Sequence, residues 1–267
     1  DPMLTHTDAD GVVHELYAIT DPAKIKVVQD TMVDKNVFIA DGHHRYETSL
    51  NFMNETGLES TKYCMMTFIN THNEGLVVLP THRLIRDLKN FDMRALLAGM
   101  SVDFDIARMD FADIVDKRNK LRDAIDALAV ELEAGNNAFG MYFNDGGFYV
   151  ATLKDIAVMK ELAPDNSDAW RKLDVSVLHK AILEKHLGID QAALEAQSHV
   201  DYIKDLGDAV MYAIDRVDNG SAQGLFLMNT VPPSSVEDVA ATGEKMPQKS
   251  TFFYPKIFSG LTINKVR

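Results

Sequence analysis

The stretch 37-VFIADGHHRYETSLNF-52 decides how the chain is read. Val37, Phe38 and Ile39 carry the β-branched and aromatic side chains that a buried strand favours, and Gly42 permits a tight exit. From His44 onward the period changes. Tyr46, Leu50 and Met53 recur at the intervals of four and three that place side chains on one helical face. Asp41, Gly42, His43, His44 and Arg45 therefore fall at a strand-to-helix turn. At such a turn the free N–H groups and the positive end of the helix dipole form a seat for an anion.

The residue types at the turn suit that chemistry. Arg45 offers a bidentate grip on phosphate or carboxylate, and His43 and His44 can donate to the same anion or shuttle a proton near neutral pH. Asp41 can hold magnesium, orient a histidine or act as a base, and Glu47 is a second acidic candidate. Two other readings stay open. His43 and Glu47 are four apart, as two metal ligands on a helix would be, but the local motif supplies no third ligand. Alternatively Asp41 caps the helix, while the histidines and Arg45 make structural hydrogen bonds.

Two further segments carry polar clusters. In 76-LVVLPTHRLIRDL-88 a strand pattern runs into Thr81, His82 and Arg83, which can form a second wall of the same pocket or pair with surface carboxylates. In 243-GEKMPQKSTFFYPKIFSG-260, Lys249, Ser250 and Thr251 stand beside Phe252, Phe253 and Tyr254. That group can meet phosphate oxygens and a ring together, or it is a lasso whose aromatics pack on the core. Met65, Met66, Met141 and Met159 read as core, and His179 and His186 as flanks of an apolar helical stripe.

The whole chain bounds the partners. Its 267 residues suffice for one large domain or two smaller ones, with 46% hydrophobic and 25% charged residues. The net charge of −13, without a long Lys/Arg run, argues against nucleic acid and leaves room for a local basic pocket that takes a small phosphorylated ligand. No apolar run approaches a membrane span, and the polar, acidic start is unlike a signal peptide. The single Cys64 excludes an intramolecular disulfide framework, so a cytoplasmic location is expected. Homo-oligomerisation is left open. The first residues, Asp1-Pro2, suggest processing or a fragment.

Hydrophobic periodicity predicts strands at 36–40, 62–70, 75–85, 102–108, 138–144, 147–153, 199–203, 223–229 and 260–266. Helices are predicted near 22–34, 44–56, 92–100, 111–134, 174–187, 190–197, 205–217 and 234–242. This order predicts an α+β fold with a mixed sheet, its main body formed by 1–89 and 164–267, and an inserted helix/hairpin subdomain at 90–163. No GxGxxG, GxxxxGK[ST], GxSxG or HExxH motif occurs.

The strings IADGHHRYETSL, LPTHRLI, LDVSVLH and GEKMPQKSTFFYPKIFSGL resemble the family catalogued as domain of unknown function 1015, in order over nearly the whole chain. That family generally carries a further N-terminal portion with a Pro-Pro-Tyr-Asp type segment, which is not seen here. More distantly, the strand–DGHHR–helix element is similar to the phosphate-gripping turn of the ParB-like and sulfiredoxin-like fold, shared by free-serine kinases and CTP-binding partition proteins. The resemblance implies phosphate contact at Gly42, His43, His44 and Arg45, with Asp41 beside them. The expected function is a nucleotide-dependent phosphotransferase acting on a small hydroxylated metabolite, either a kinase or a nucleotide hydrolase. The alternatives are a nucleotide-sensing module without turnover and a protein whose clusters are only structural. Magnesium would enter with ATP, ADP or CTP, in part through Asp41; no transition metal is expected. Asp41, His43, His44 and Glu47 are the catalytic candidates. Gly42, His43, His44, Arg45, Thr81, His82, Arg83, Lys249, Ser250 and Thr251 are the nucleotide-binding candidates.

Overall fold

The computed structural model describes residues 1–267 except Asp10, Asn36, Phe38, Ala40, Thr71, His72, Glu74, Leu76, Ile257, Ser259 and Arg267. Packing divides the chain into two compact units, Asp1–Gly75 with Pro255–Arg267, and Leu76–Tyr254. The expected boundaries at 89/90 and 163/164 do not coincide with this division, because residues 90–163 supply strands to the central sheet of the second unit.

The first unit holds the antiparallel hairpin β1 (Leu4–Thr7) and β2 (Val13–Leu16), followed by helices α1 (Pro22–Met32) and α2 (His43–Thr56). The sequence starts α1 clearly: the Asp21 carboxylate accepts from the Ala23 N–H at 2.9 Å, and Pro22 occupies the first turn. Neither helix buries a residue, and among the described residues of this unit only Thr61 is buried. Of the expected strand 36–40, residues 36, 38 and 40 lie outside the described residues, and Val37 and Ile39 belong to no regular element. The expected strands at 62–70 and 260–266 are also not formed among the described residues. Their side chains have β-propensity, but a strand forms only where a neighbouring strand pairs with it.

The second unit contains β3 (Val77–Leu79), β4 (Thr81–Ile85), α3 (Met93–Met100), β5 (Phe104–Asp110), α4 (Ile114–Glu133), β6 (Ala138–Tyr142) and β7 (Gly147–Leu153). Short helices α5 (Val158–Leu162), α6 (Asp168–Arg171) and α7 (Asp174–Val177) lead into a π-helical stretch, Leu178–Glu184, and α8 (Lys185–Leu187). Then come α9 (Gln191–Ala196), β8 (Val200–Lys204), α10 (Ala209–Asp218), β9 (Gly224–Leu227), α11 (Pro233–Ala241) and β10 (Phe252–Tyr254). Six strands form one sheet in the order β5-β7-β6-β9-β4-β8, and the described pairings are antiparallel. Pro80, which has no N–H to give a ladder, splits the expected strand 75–85 into two. Its first half, β3, pairs instead with β10.

Alternation along the strands sets the two faces of this sheet. Leu84, Tyr142, Phe148, Val150, Leu225 and Leu227 pack against Leu121, Ala124 and Leu128 of α4 and Val210, Ala213, Ile214 and Val217 of α10. Arg83, which pairs with Phe226 and so points the other way, meets His179 of the π-helical stretch. The α+β class is as expected. Of the methionines read as core, Met141 and Met159 are buried, whereas Met65 and Met66 in the first unit are exposed. No helix among the described residues is long and apolar enough to cross a membrane.

Candidate functional site

The polar candidates lie in two clusters, one in each unit. In the first unit Gly42 is the N-cap of α2, in the left-handed region at φ 88°. A side chain there would be strained, and a Cβ would stand only 2.8 Å from Nη2 of Arg45. The Arg45 guanidinium is thus folded back across the glycine, where it reaches the Asp41 carboxylate at 3.2 Å. Lys256 Nζ lies 3.7 Å from the other oxygen of Asp41. His44 is almost wholly in solvent, with Nδ1 3.5 Å from Glu47, and the Arg45 side chain is 71% exposed.

No side chain caps α2, and its first turn holds no acid. Elsewhere aspartate or serine fills this role: Asp92 caps α3, Asp113 caps α4, Ser167 caps α6 and Asp190 caps α9. The capping role considered for Asp41 is therefore not seen; its carboxylate faces Arg45 and Lys256 instead. The first amides of α2, which the helix itself leaves unbonded, stand next to two imidazoles and a guanidinium.

In the second unit β4 brings Thr81, His82 and Arg83 inside, not to the surface pairs that their polarity also allows. Arg83 is 1% exposed. Its Nη1 donates to the Thr81 carbonyl, and its Nη2 donates to the Lys249 carbonyl at 3.2 Å. The guanidinium carbon stands 5.0 Å from the centre of the Tyr202 ring, and His179 Nε2 is 3.5 Å from Nη2. Burial pushes the guanidinium down to about 10, so it stays charged at neutral pH. Burial, Arg83 and Lys180 together push the His179 imidazole well below its ordinary value, which leaves it neutral and able to accept from Arg83.

Residues 81–83 and residues 249–251 are thus brought together in space. Ser250 is buried, with its hydroxyl donating to the Pro247 carbonyl, and Lys249 adopts φ 55°. His82 accepts from the Met228 N–H at Nδ1, while its Nε2 lies 3.8 Å from Asp205 and has no hydrogen-bond partner among the described residues.

Sequence reasoning missed His179, Tyr202 and Lys256 as neighbours of these arginines and acids, and also Asp174. Asp174 lines a cleft of about 100 Å³ with Asn136, Asn137, Thr230 and Ser235. Burial pushes its carboxyl up to about 6, partly offset by the amides of Asn137 and Asn229. Its place in LDVSVLH was the only signal available. Among the described residues no group of three or more His, Cys, Asp or Glu side chains is placed to hold a metal ion.

The family described as "Protein of unknown function (DUF1015)" matches residues 1–176. The chain belongs to that family. No curated protein sequence matches this DUF1015 chain. Among solved structures it is similar to a "Conserved hypothetical protein from Pyrococcus furiosus", with a TM-score of 0.40 and 13% identity, covering 80% of this chain and 68% of that one. It is also similar to a "Free serine kinase in complex with AMP", with a TM-score of 0.42 and 13% identity, covering 86% and 78%. A mutant of a free serine kinase in complex with ADP scores 0.43 at 12% identity over the same shares.

Proposed function

We propose that this DUF1015 chain binds the phosphate groups of a nucleotide at the head of α2 and transfers a phosphoryl group to a small hydroxylated metabolite. The observation that carries the reading is the uncapped start of α2, where Gly42, His43, His44 and Arg45 gather unbonded N–H donors and an exposed cation without a local acid in the first turn. A phosphate would place negative oxygens at the helix start itself, where the first turn of α2 holds no acid. It also draws the Arg45 guanidinium away from Asp41, an exposed ion pair that costs little to break.

Each residue then has a role. The amides following Gly42 and the fork of Arg45 hold phosphate oxygens, and His43 and His44 add donors. Asp41, freed from Arg45, or Glu47 accepts the proton of the attacking hydroxyl. Magnesium would come with the nucleotide phosphates, since Asp41 alone offers one carboxylate and has two cationic neighbours. Phosphoryl transfer depends mainly on positioning and charge neutralisation, which donors of this kind supply.

The test is a thermal-shift series with ATP, ADP, CTP and GTP plus magnesium, followed by mass-spectrometric detection of phosphorylated hydroxy amino acids and sugars. Stabilisation by a nucleotide is expected, since a ligand that binds only the native state raises its melting point. Stabilisation without transfer would assign the chain to nucleotide sensing. No stabilisation by any of the four would end the proposal.

A further inference from the structure

We propose that Arg83 is the seat of an anionic ligand group, a phosphate or carboxylate, and that residues 245–251 form a strap which closes this seat when it is empty. The inference concerns the second unit alone and does not rest on the reading of residues 42–45.

A buried charge is tolerated where an opposite charge or a full set of hydrogen bonds compensates it. Arg83 has neither. Its partners are two main-chain carbonyls, a neutral imidazole and a tyrosine ring, and among the described residues no carboxylate pairs with it. Among the described residues its Nε–H has no hydrogen-bond partner. A planar fork with five donors is suited to two oxygens of one anion, and here a single carbonyl from a loop fills part of that place.

The loop supplying that carbonyl has features that would let it release. Lys249, whose carbonyl meets the guanidinium, is itself exposed. Lys249 also holds a left-handed backbone, a conformation that non-glycine residues leave readily when their surroundings release them. The Ser250 hydroxyl, bound to the Pro247 carbonyl, holds the turn shut. An incoming anion that takes the place of the Lys249 carbonyl would pair the buried cation and relieve the backbone together. Thr81 and His179 would stay as the fixed wall behind it.

The test reads hydrogen exchange at the amides of residues 248–251 in the full chain, titrated separately with inorganic phosphate and with acetate. Phosphate or acetate is expected to speed exchange of these amides in the wild type and in Arg45→Ala, and the arm that responds names the anion. In Arg83→Met the response should weaken about tenfold or more, the scale of hydrogen bonds to a charged group, while the melting point stays at or above that of the wild type. Ser250→Ala, which loosens the closed strap, should respond at lower anion concentration. No response to either anion in the wild type overturns the proposal, as does an unchanged response in Arg83→Met. An Arg83→Met chain that melts well below the wild type also overturns it, because the guanidinium is then a structural brace.

Discussion

Replacing Asp174 with asparagine tests how burial acts on a single carboxyl in this fold. Asp174 receives the Asn137 amide at 2.6 Å, and burial raises its pKa from 3.8 to about 6. Below pH 3.8 the group is protonated in both the folded and unfolded chains; well above 6 it is ionised in both. Between those limits the native state keeps a proton that the unfolded chain releases. The stability contributed by the protonated form is therefore full below 3.8 and is lost as pH rises through about 6. A shift of about two units corresponds to about 3 kcal/mol over the whole range, of which about 2 kcal/mol falls between pH 4.5 and 7. The amide of the Asp174→Asn variant does not titrate, so the difference in unfolding free energy, wild type minus variant, isolates this group from the other carboxylates. Urea unfolding at pH 4.5, 5.5 and 7 should show the difference falling by about 2 kcal/mol, or about 4–8 °C in melting temperature. A difference that does not change across this range would refute the reasoning, and one that grows with pH would reverse its sign.

Two other outcomes follow from the geometry. Lys117 is buried, with Nζ 2.5 Å from Asp218 and 4.4 Å from the centre of the Tyr142 ring, and Tyr142 donates to the same carboxylate. Lys117→Ala should cost about 2 kcal/mol or more, reduced from the usual loss at a buried pair because Asp218 keeps part of its surface in water; denaturant unfolding reads it. Gly42→Val places a β-branched side chain at φ 88° against the Arg45 guanidinium, so it should cost about 1–3 kcal/mol of stability and weaken nucleotide binding as well; melting and titration read the two separately.

Much of the helical framework was legible because it is local. Asp21, Asp92 and Asp113 stand where N-caps belong, and the apolar stripe of α4 runs unbroken to its end before Gly135. The hairpin of β6 and β7 was equally plain, since the apolar runs AFGMYF and GFYVATL flank Asn144-Asp145-Gly146. What failed was strand formation without a partner. KYCMMTFIN has strand composition, yet Cys64, Met65, Met66, Phe68 and Ile69 stay exposed and unpaired in any sheet, while the three residues of β10 sit in a segment with the composition of a lasso. Thr81, His82 and Arg83 were harder to place: their polarity allows a pocket wall or a surface edge, and they lie buried on an interior strand of the sheet, so the surface-edge reading fails. The Arg83–Lys249 contact spans 166 residues, and no local pattern announces a hydrogen bond of that separation.

The most direct test of phosphate binding at the head of α2 is calorimetric titration of magnesium–ATP into the wild type and into Arg45→Ala. Arg45 is exposed and its ion pair is with the exposed Asp41, so its removal should change stability by less than about 1 kcal/mol. Affinity should fall about 10- to 100-fold, the loss of charge-assisted hydrogen bonds to phosphate. Equal affinity in the two proteins, or an Arg45→Ala chain that no longer folds, would contradict the role given to this arginine.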